Sequence, residues 1–274
     1  MNYKQYPVHP ALKNWIRYFW SYDVCTSATE ALHIRSFADR YPRLVFQDIC
    51  SFSPIKDAQG TIKPICYLSG VDTQPTDAYW ESHFSHFGVS FQPHALHFLF
   101  GINAAELTNQ TPDIQLLDKT EIPVLLLNAK NHLERVSILS EYFYKRISKA
   151  KGDVVIHHLF LGNWADRLDN EKNLATIASH YQISERQLQR RFKQNVGVSA
   201  RKFARVAKFE KSLPALSLTD YGSLTQLAYD LEYSDQSHFI KDFKLFSGLS
   251  PYEFVKQSSL GSESASFIYI EELA

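Results

Sequence analysis

Four polar side chains between residues 186 and 193 share one face of a predicted helix. Arg186, Gln189, Arg190 and Lys193 follow one another at steps of three, one and three residues, which places them in one stripe. Arginine suits guanine O6 and N7, glutamine suits adenine N6 and N7, and lysine suits phosphate. The stripe therefore has the chemistry needed to contact bases and phosphates of duplex DNA.

Local signals predict the helix that carries this stripe. Ser184 comes directly before ERQLQRRFK, and Gln187 lies three residues further on, as in a capping box. Leu188, Phe192 and Val196 recur at four-residue steps and would face a core. The polar stripe would then lie on the side turned to solvent.

An internal repeat predicts a second helix of the same kind. The segment FKQNVGVSARKF, beginning at Phe192, returns as FKLFSGLSPYEF, beginning at Phe243, with an offset of 51 residues. Upstream, LATIA matches LTQLA at an offset of 50. Two copies of a helix-turn-helix fit this unit, and Phe239, Phe243 and Phe246 would be the core face of the second copy. Shifting the polar stripe by 51 gives Ser237, Ile240, Lys241 and Lys244, with Gln236 and His238 beside it.

A single helix from Ala200 to Leu213, ended by Pro214, is predicted between the two copies. It would hold the two reading helices at a fixed spacing, so that one chain contacts successive major grooves, which lie ~34 Å apart.

The chain has 29 Lys+Arg and 29 Asp+Glu, a net charge of +0, yet residues 186–211 hold nine basic residues and one acidic one. The positive surface is therefore local.

Residues 174–257 resemble the C-terminal DNA-binding domain of AraC/XylS-type transcription regulators. The resemblance rests on IASHYQISERQLQRRFKQNVGVSARKF and on LAYDLEYSDQSHFIKDFKLFSGLSPYEF. It implies two motifs that flank a long helix and place their second helices in the major groove. The base contacts that it implies come from Arg186, Gln189, Arg190, Gln236, Ser237, His238 and Lys241. The predicted phosphate contacts come from Arg191, Lys193, Arg201, Lys202 and Lys244.

Three positions depart from the pattern of this family. Glu232 stands where a glycine is usual, so it must tolerate or reshape the backbone of the turn. Lys241 replaces a common arginine and loses its bidentate geometry, and Ala200 replaces a proline that the second copy keeps as Pro251. The first two departures weaken the predicted DNA contacts of the second motif and leave the predicted fold unchanged.

The first half of the chain reads as a different domain. It is rich in aromatic, proline and β-branched residues, with predicted strands at Trp15–Val24, Arg43–Ile49, Pro64–Gly70 and Tyr79–Phe91 and a helix at Ala95–Leu107. The segments YPVHPALKNWIRYFWSYDV and VSFQPHALHFLFGINAAELTNQ resemble the N-terminal sensory domain of a subset of AraC-type regulators.

The predicted class is α+β, with a β-rich, barrel-like domain followed by an all-α domain. The predicted units are a β-rich effector-binding or dimerisation domain at 1–128, a connecting helix at 129–153, a DNA-binding domain at 154–258 and a tail at 259–274. Within the third unit lie a first motif at about 174–196, a linker helix at about 200–213 and a second motif at about 224–247.

Aromatic and basic residues of the first domain suggest an effector pocket. Trp20, Tyr67 and Trp80 are candidates to line it, although aromatic residues at alternate strand positions more often form a core. Arg17 and Arg35 are candidate anchors for an acidic effector. The apolar stripe of the predicted helix 132–149 suits either a dimer face or an interdomain contact.

Several classes of protein are disfavoured. The sequence holds no G-x-S-x-G, no phosphate-binding glycine loop and no H-E-x-x-H. We therefore predict that the protein is not an enzyme and has no cofactor. The histidines at 83, 86, 94 and 97 have no acidic or cysteine partners at suitable spacing, so no metal site is predicted. Three cysteines and no apolar run of about 18 residues indicate a reduced cytoplasmic protein that does not enter the membrane.

The sequence is compatible with two alternative functions. In the first, the chain is a sequence-specific regulator, an activator, whose N-terminal domain senses a small molecule. In the second, the regulator has no effector, and its N-terminal domain is a protein-interaction or dimerisation module. The predicted partners are double-stranded DNA and RNA polymerase, with a small-molecule effector and a second copy of the chain as further candidates.

Overall fold

The computed structural model describes residues 2–25, 32–49, 54–80, 83–150, 152–162, 171–217, 223–256 and 267–270. Strands dominate its N-terminal half and helices its C-terminal half, which confirms the predicted α+β class. The strands of the described residues are β1 (Asn2–Tyr6), β2 (Ile16–Cys25), β3 (Leu32–Ser36), β4 (Arg43–Gln47), β5 (Lys56–Asp57), β6 (Cys66–Ser69), β7 (Thr76–Trp80), β8 (His83–Phe91) and β9 (Phe267–Ile270).

These strands form two antiparallel sheets rather than one closed barrel. The first has the order β1-β2-β8-β4-β6, and the second has the order β5-β7-β3-β9. Strands β2 and β8 are the longest pair, with Phe19 opposite Val89 and both side chains fully buried. Strand β4 on the other side of β8 adds Leu44 and Phe46 to the same core.

The α-helices of the described residues are α1 (Ala95–Phe100), α2 (Ile114–Leu117), α3 (Ile122–Asn128), α4 (His132–Ile147), α5 (Val154–Leu161), α6 (Glu171–His180), α7 (Glu185–Val196), α8 (Ala200–Ser217), α9 (Leu224–Asp230), α10 (Gln236–Ser247) and α11 (Pro251–Lys256). Helices α6 and α7 form the first helix-turn-helix and α9 and α10 form the second. Helix α8 links the two motifs.

Two predicted elements of the first half are divided in the structure. The predicted helix Ala95–Leu107 ends at Phe100, because Gly101 adopts a left-handed φ of 68° and the chain resumes as a 3-10 helix at Ala104–Leu107. The predicted strand Tyr79–Phe91 covers the end of β7 and all of β8, which belong to different sheets. Strands β1, β3 and β5 lie outside the predicted set.

Helix α8 continues past Pro214, where the sequence predicted its end. Proline lacks the N–H that would bond one turn back, so the helix is weakened at this point. Leu213 and Leu216 are nevertheless buried in the aromatic core of the second motif. Burial of the last turn outweighs the missing hydrogen bond, and the exposed proline ring lies on the outer face.

The two halves of the chain share cores across the predicted boundaries. Phe37, from the loop after β3, lies 6.1 Å from the ring of Phe209 on α8 and 5.9 Å from that of Phe254 on α11. Helix α4, predicted as a connecting helix, buries Leu139 and Phe143 in the core of the first sheet. Within the predicted tail 259–274, residues 267–270 form β9 and pair with β3. Strand β9 and the connecting helix are therefore parts of the β-rich half.

Acidic side chains gather near this junction. Asp39 and Asp72 form a β-bridge in which each backbone N–H bonds to the carbonyl of the other residue. Burial, and next the carboxylate of Asp39, raises the pKa of Asp72 to about 7, although Arg43, Lys63 and a hydrogen bond from Ser69 oppose the shift.

We expect the D72N variant to be more stable than the wild type above pH 7. A carboxyl whose folded pKa lies above its unfolded value binds more protons when folded, so stability is lost as pH rises from about 4 to about 7. Asparagine cannot ionise and still accepts the Ser69 bond. The gain should be roughly 1–3 kcal/mol at pH 8 and close to zero at pH 4. Urea unfolding at both pH values measures it, and an equal effect at both would contradict the assignment.

Candidate DNA-binding surface

Helix α7 is held at its start by the predicted capping box. The Gln187 backbone N–H donates to Ser184 Oγ at 3.2 Å, and the Ser184 backbone N–H donates to Gln187 Oε1 at 2.9 Å. Leu188, Phe192 and Val196 are fully buried against α5, α6 and α8. These contacts fix the rotation of the helix, and so they determine which side chains face outwards.

The outward face of α7 carries the predicted stripe. Arg186, Gln189, Arg190 and Lys193 are all exposed, and with Ser184 and Ser199 they line one open groove. Among the residues that the structure describes, Arg186, Gln189 and Arg190 have no hydrogen-bond or ion-pair partner. Their donors are free to meet a ligand.

Three predicted phosphate contacts lie in different surroundings. Arg191 is half-buried, and its guanidinium lies 3.7 Å from Asp153 at the start of α5. Lys202 is also half-buried, with Nζ 4.8 Å from the ring centre of Phe246, and burial lowers its pKa. Arg201, by contrast, is exposed at the start of α8.

Helix α10 repeats this arrangement with different side chains. Asp235 caps it by accepting the His238 backbone N–H at 2.8 Å, and Phe239, Phe243 and Phe246 are buried as predicted. Four of the predicted DNA-contacting side chains are exposed, namely Ser237, His238, Lys241 and Lys244.

Two of the predicted base contacts of α10 have partners within the chain. His238 Nδ1 lies 3.2 Å from Ser234 Oγ. Gln236 is half-buried, with its Oε1 2.6 Å from Thr225 Oγ1 on α9. Both would have to exchange these partners to contact a base.

An ion pair that the sequence did not reveal ties α8 to α10. Arg205 is one of the nine basic residues of segment 186–211, yet its guanidinium makes a bidentate contact with Asp242, whose side chain is only 3% exposed. Asp242 occupies the position of Arg191 in the repeat, 51 residues on. Each motif thus uses this position for an ion pair with a neighbouring helix. The partners are far apart in the sequence, so only the three-dimensional structure shows that Arg205 binds Asp242.

The turn of each motif contains a non-glycine residue in the left-handed region. Gln182 has φ 53° and Glu232, 50 residues later, has φ 59°. Glu232 therefore adopts the backbone for which glycine is favoured, as its departure from the family pattern implied. Lys208 on α8 supports this turn, because its Nζ donates to the Glu232 carbonyl at 3.1 Å.

The C-terminal ends of α7 and α10 face the β-rich half. Gly197, just after α7, is packed so closely that an added Cβ would lie 2.8 Å from Thr108 Oγ1. Thr108 Oγ1 also donates to the Gly197 carbonyl at 3.0 Å. Gly248, just after α10, lies beside Pro75 and Arg35 in the same way. The ends that carry Arg186 and Ser237 are exposed on the side away from these contacts.

Comparison with known proteins agrees with this geometry. The family described as "Helix-turn-helix domain" matches residues 177–257, which span α7 to α11 and most of α6. Residues 177–257 are a helix-turn-helix domain of the AraC type. A second family, described as a domain of unknown function (DUF6597), matches residues 4–113. None of the curated protein sequences matches the chain.

Solved structures that resemble the chain share little sequence identity with it. ToxT from Vibrio cholerae shares 12% identity over 87% of this chain and 98% of its own, with a TM-score of 0.44. A fatty-acid-bound form of ToxT shares 14% identity over 86% and 93%, with a TM-score of 0.41. CdpR from Pseudomonas aeruginosa shares 16% identity over 65% of this chain and 47% of its own, with a TM-score of 0.31.

Among the described helices, none is both long and apolar enough to cross a bilayer.

The β-rich half that precedes the AraC-type domain contains a small cavity between its two sheets. Its volume is about 110 Å³, and the predicted aromatic residues Trp20, Tyr67 and Trp80 all line it. Tyr3, Tyr18, Tyr22, Arg43 and His86 complete most of the wall. The sequence did not predict Arg43 and His86 as lining residues. The reason is that the packing of the two sheets decides which strands face the cavity.

The two predicted anchors of an acidic effector do not line this cavity. Arg17 donates to Ser90 Oγ at 3.1 Å and stacks over Tyr41 at 3.4 Å. Arg35 forms a bidentate ion pair with Asp77, with distances of 2.8 and 3.0 Å. Both guanidinium groups therefore have partners elsewhere in the fold, outside this cavity.

Proposed function

We propose that this AraC-type protein is a transcription activator that reads two successive major grooves, one with α7 and one with α10. The observation that carries the proposal is the free outward face of α7, where Arg186, Gln189 and Arg190 have donors without partners in the described chain. Free, exposed arginine and glutamine side chains on a helix held by its core are suited to base recognition.

Helix α8 supports the two-groove proposal, because it binds both motifs. Its Phe203 packs on Phe192 of α7 at 5.6 Å, and its Phe209 packs on Phe243 of α10 at 5.2 Å. A helix packed on both motifs restricts their relative rotation. We infer that a single chain can therefore engage both half-sites, and that RNA polymerase is the partner through which it activates.

Selection of bound fragments from random duplex DNA tests the proposal directly. We expect an enriched site with two short half-elements about one helical turn apart. Titration of this site at several salt concentrations should give strongly salt-dependent affinity. Enrichment of one half-element alone would overturn the two-groove proposal, and the absence of any sequence preference would overturn sequence-specific binding.

We expect R190A to relax sequence preference at one base pair, at a cost of roughly 1–3 kcal/mol. The exposed Arg201 provides the matched comparison. R201A should weaken binding to all sequences alike and reduce the slope of log K against log salt by about 1. Lys119, exposed in the loop between α2 and α3, serves as a control that should change neither quantity. Equal losses for R190A on all base variants would contradict its proposed role.

We propose further that a small molecule bound in the β-rich half controls DNA binding. The aromatic cavity between the two sheets supports this part of the proposal. The effector-independent alternative is supported by the volume of about 110 Å³, since pockets for drug-sized ligands range from about 300 to 1,000 Å³. Thermal-shift screening separates the two, because a bound effector stabilises the protein more as its concentration rises.

A further inference from the structure

The cavity between the two sheets has an aromatic wall of defined shape. Trp20 and Tyr3 stack with ring centres 6.5 Å apart, and Tyr22 meets Trp80 edge-on at 6.1 Å. Gly88 allows the Trp20 indole to lie across β8, since an added Cβ would be only 2.5 Å from that ring. Aromatic faces and edges around one space favour a planar aromatic guest.

His86 supplies a polar group that the protein itself leaves unused. The residue is only 1% exposed, and neither ring nitrogen has a hydrogen-bond partner among the described residues. Its ring is surrounded by Phe84 at 4.6 Å and Trp80 at 4.8 Å. Burial lowers the pKa of His86 to about 3, so the imidazole is neutral and offers one donor and one acceptor.

The charges around the cavity disfavour an anionic guest. Arg43 is the cation among the described lining residues, and its guanidinium is already paired with Asp39. A neutral His86 cannot balance a carboxylate. A buried anion would therefore have no free counter-charge, and burying an unpaired charge is strongly unfavourable.

The size of the cavity limits the guest to one ring. Its volume of about 110 Å³ is somewhat below the ~150 Å³ of an engineered protein cavity that takes up benzene. The geometry points to an uncharged, single-ring aromatic alcohol or amine as the ligand, with its polar hydrogen or lone pair on His86. This inference rests on the effector role proposed above, and it names the chemical class of the effector.

The cavity is linked to the DNA-binding half through three consecutive residues. Asp39 pairs with Arg43 in the cavity wall. The neighbouring Ala38 donates its backbone N–H to the Phe246 carbonyl of α10 at 2.9 Å, and Arg40 binds Glu210 of α8. A guest that moves Arg43 would therefore act on a segment that touches both α8 and α10.

Titration of the full chain with phenol, toluene, benzoate and cyclohexanol tests the ligand class. Quenching of tryptophan fluorescence reports on Trp20 and Trp80, and thermal shift provides a second readout. We expect phenol to bind at least tenfold more tightly than toluene, whereas benzoate and cyclohexanol should produce no saturable change. Saturable binding of benzoate in preference to phenol would overturn the inference, as would the absence of any aromatic binding, which would leave only water in the cavity.

The H86F variant isolates the polar contact. We expect its affinity for phenol to fall about tenfold and its affinity for toluene to stay within threefold of the wild type. An unchanged phenol affinity would show that His86 is not the partner. If H86F fails to fold, the order of the four ligands on the wild-type chain still decides the inference.

DNA titration with and without phenol distinguishes this inference from the function on which it rests. Binding of phenol with unchanged affinity for the selected DNA site would support the ligand class and refute effector control. A change in DNA affinity on adding a charged aromatic, without any effect of phenol, would refute the ligand class and retain effector control.

Discussion

Replacing Phe209 by alanine is expected to lower the free energy of unfolding by about 3–5 kcal/mol, as for other fully buried aromatic residues. Phe209 on α8 is completely buried. Its ring centre lies 6.1 Å from Phe37 of the β-rich half, 5.2 Å from Phe243 and 5.5 Å from Phe246. The substitution would open a cavity where the linker helix, the second motif and the β-rich half meet, so one change affects all three.

Urea unfolding followed by far-UV circular dichroism and by tryptophan fluorescence measures this loss. Three of the four tryptophans lie within residues 1–80, so fluorescence mainly reports on the β-rich half. Because the core is shared, F209A should lower the midpoint seen by both probes. L245A is the control, since Leu245 is 44% exposed on α10 and its removal should change stability by less than about 0.5 kcal/mol. A change confined to one probe would mean that the two halves unfold independently.

Removing Glu210 is expected to lower the free energy of unfolding by about 2–4 kcal/mol, because the Arg40 backbone N–H would lose its acceptor and the Arg40 guanidinium would lose the carboxylate of its ion pair. Glu210 Oε1 accepts the Arg40 backbone N–H at 2.8 Å, and its Oε2 lies 2.8 Å from Arg40 Nε. The Glu210 side chain is 20% exposed and that of Arg40 is 13% exposed. E210A would leave Arg40 charged, largely buried and without this carboxylate.

The E210Q variant should lose much less free energy of unfolding than E210A. Burial, and next the carboxylate of Asp39, raises the pKa of Glu210 to about 7, so the neutral form is already accessible to the folded protein. E210Q keeps one oxygen acceptor and has nearly the same shape. We expect it to cost under about 1 kcal/mol at pH 7.

A double-mutant cycle over R40A and E210A measures the coupling between the two halves. The Glu141–Lys145 pair on α4 is the matched control, since both side chains are more than two-thirds exposed and exposed pairs of this kind couple only weakly. We expect the Arg40–Glu210 coupling to be several times larger. A coupling equal to that of the control would show that this contact does not hold α8 against the β-rich half.

The helix-turn-helix region was predictable from sequence because its signals are local. The capping box at Ser184 and the apolar residues at four-residue steps act within one or two turns of helix, and the repeat at an offset of 51 places the same kind of local signals in the second motif. These features specify α7, α10 and their buried faces without any tertiary contact. Pro214 is the exception, since its local effect was outweighed by the burial of Leu216 beyond it.

The amino-acid sequence by itself determined the two motifs, their outward polar stripes and the α+β class. The tertiary structure alone decided that Arg205 binds Asp242, that Arg17 and Arg35 are held away from the cavity, and that His86 lines it. It also decided that α4 and β9 belong to the β-rich half. The physical reason is the range of the interactions: helix periodicity and capping act over a few residues, whereas strand pairing and ion pairs join residues far apart in sequence.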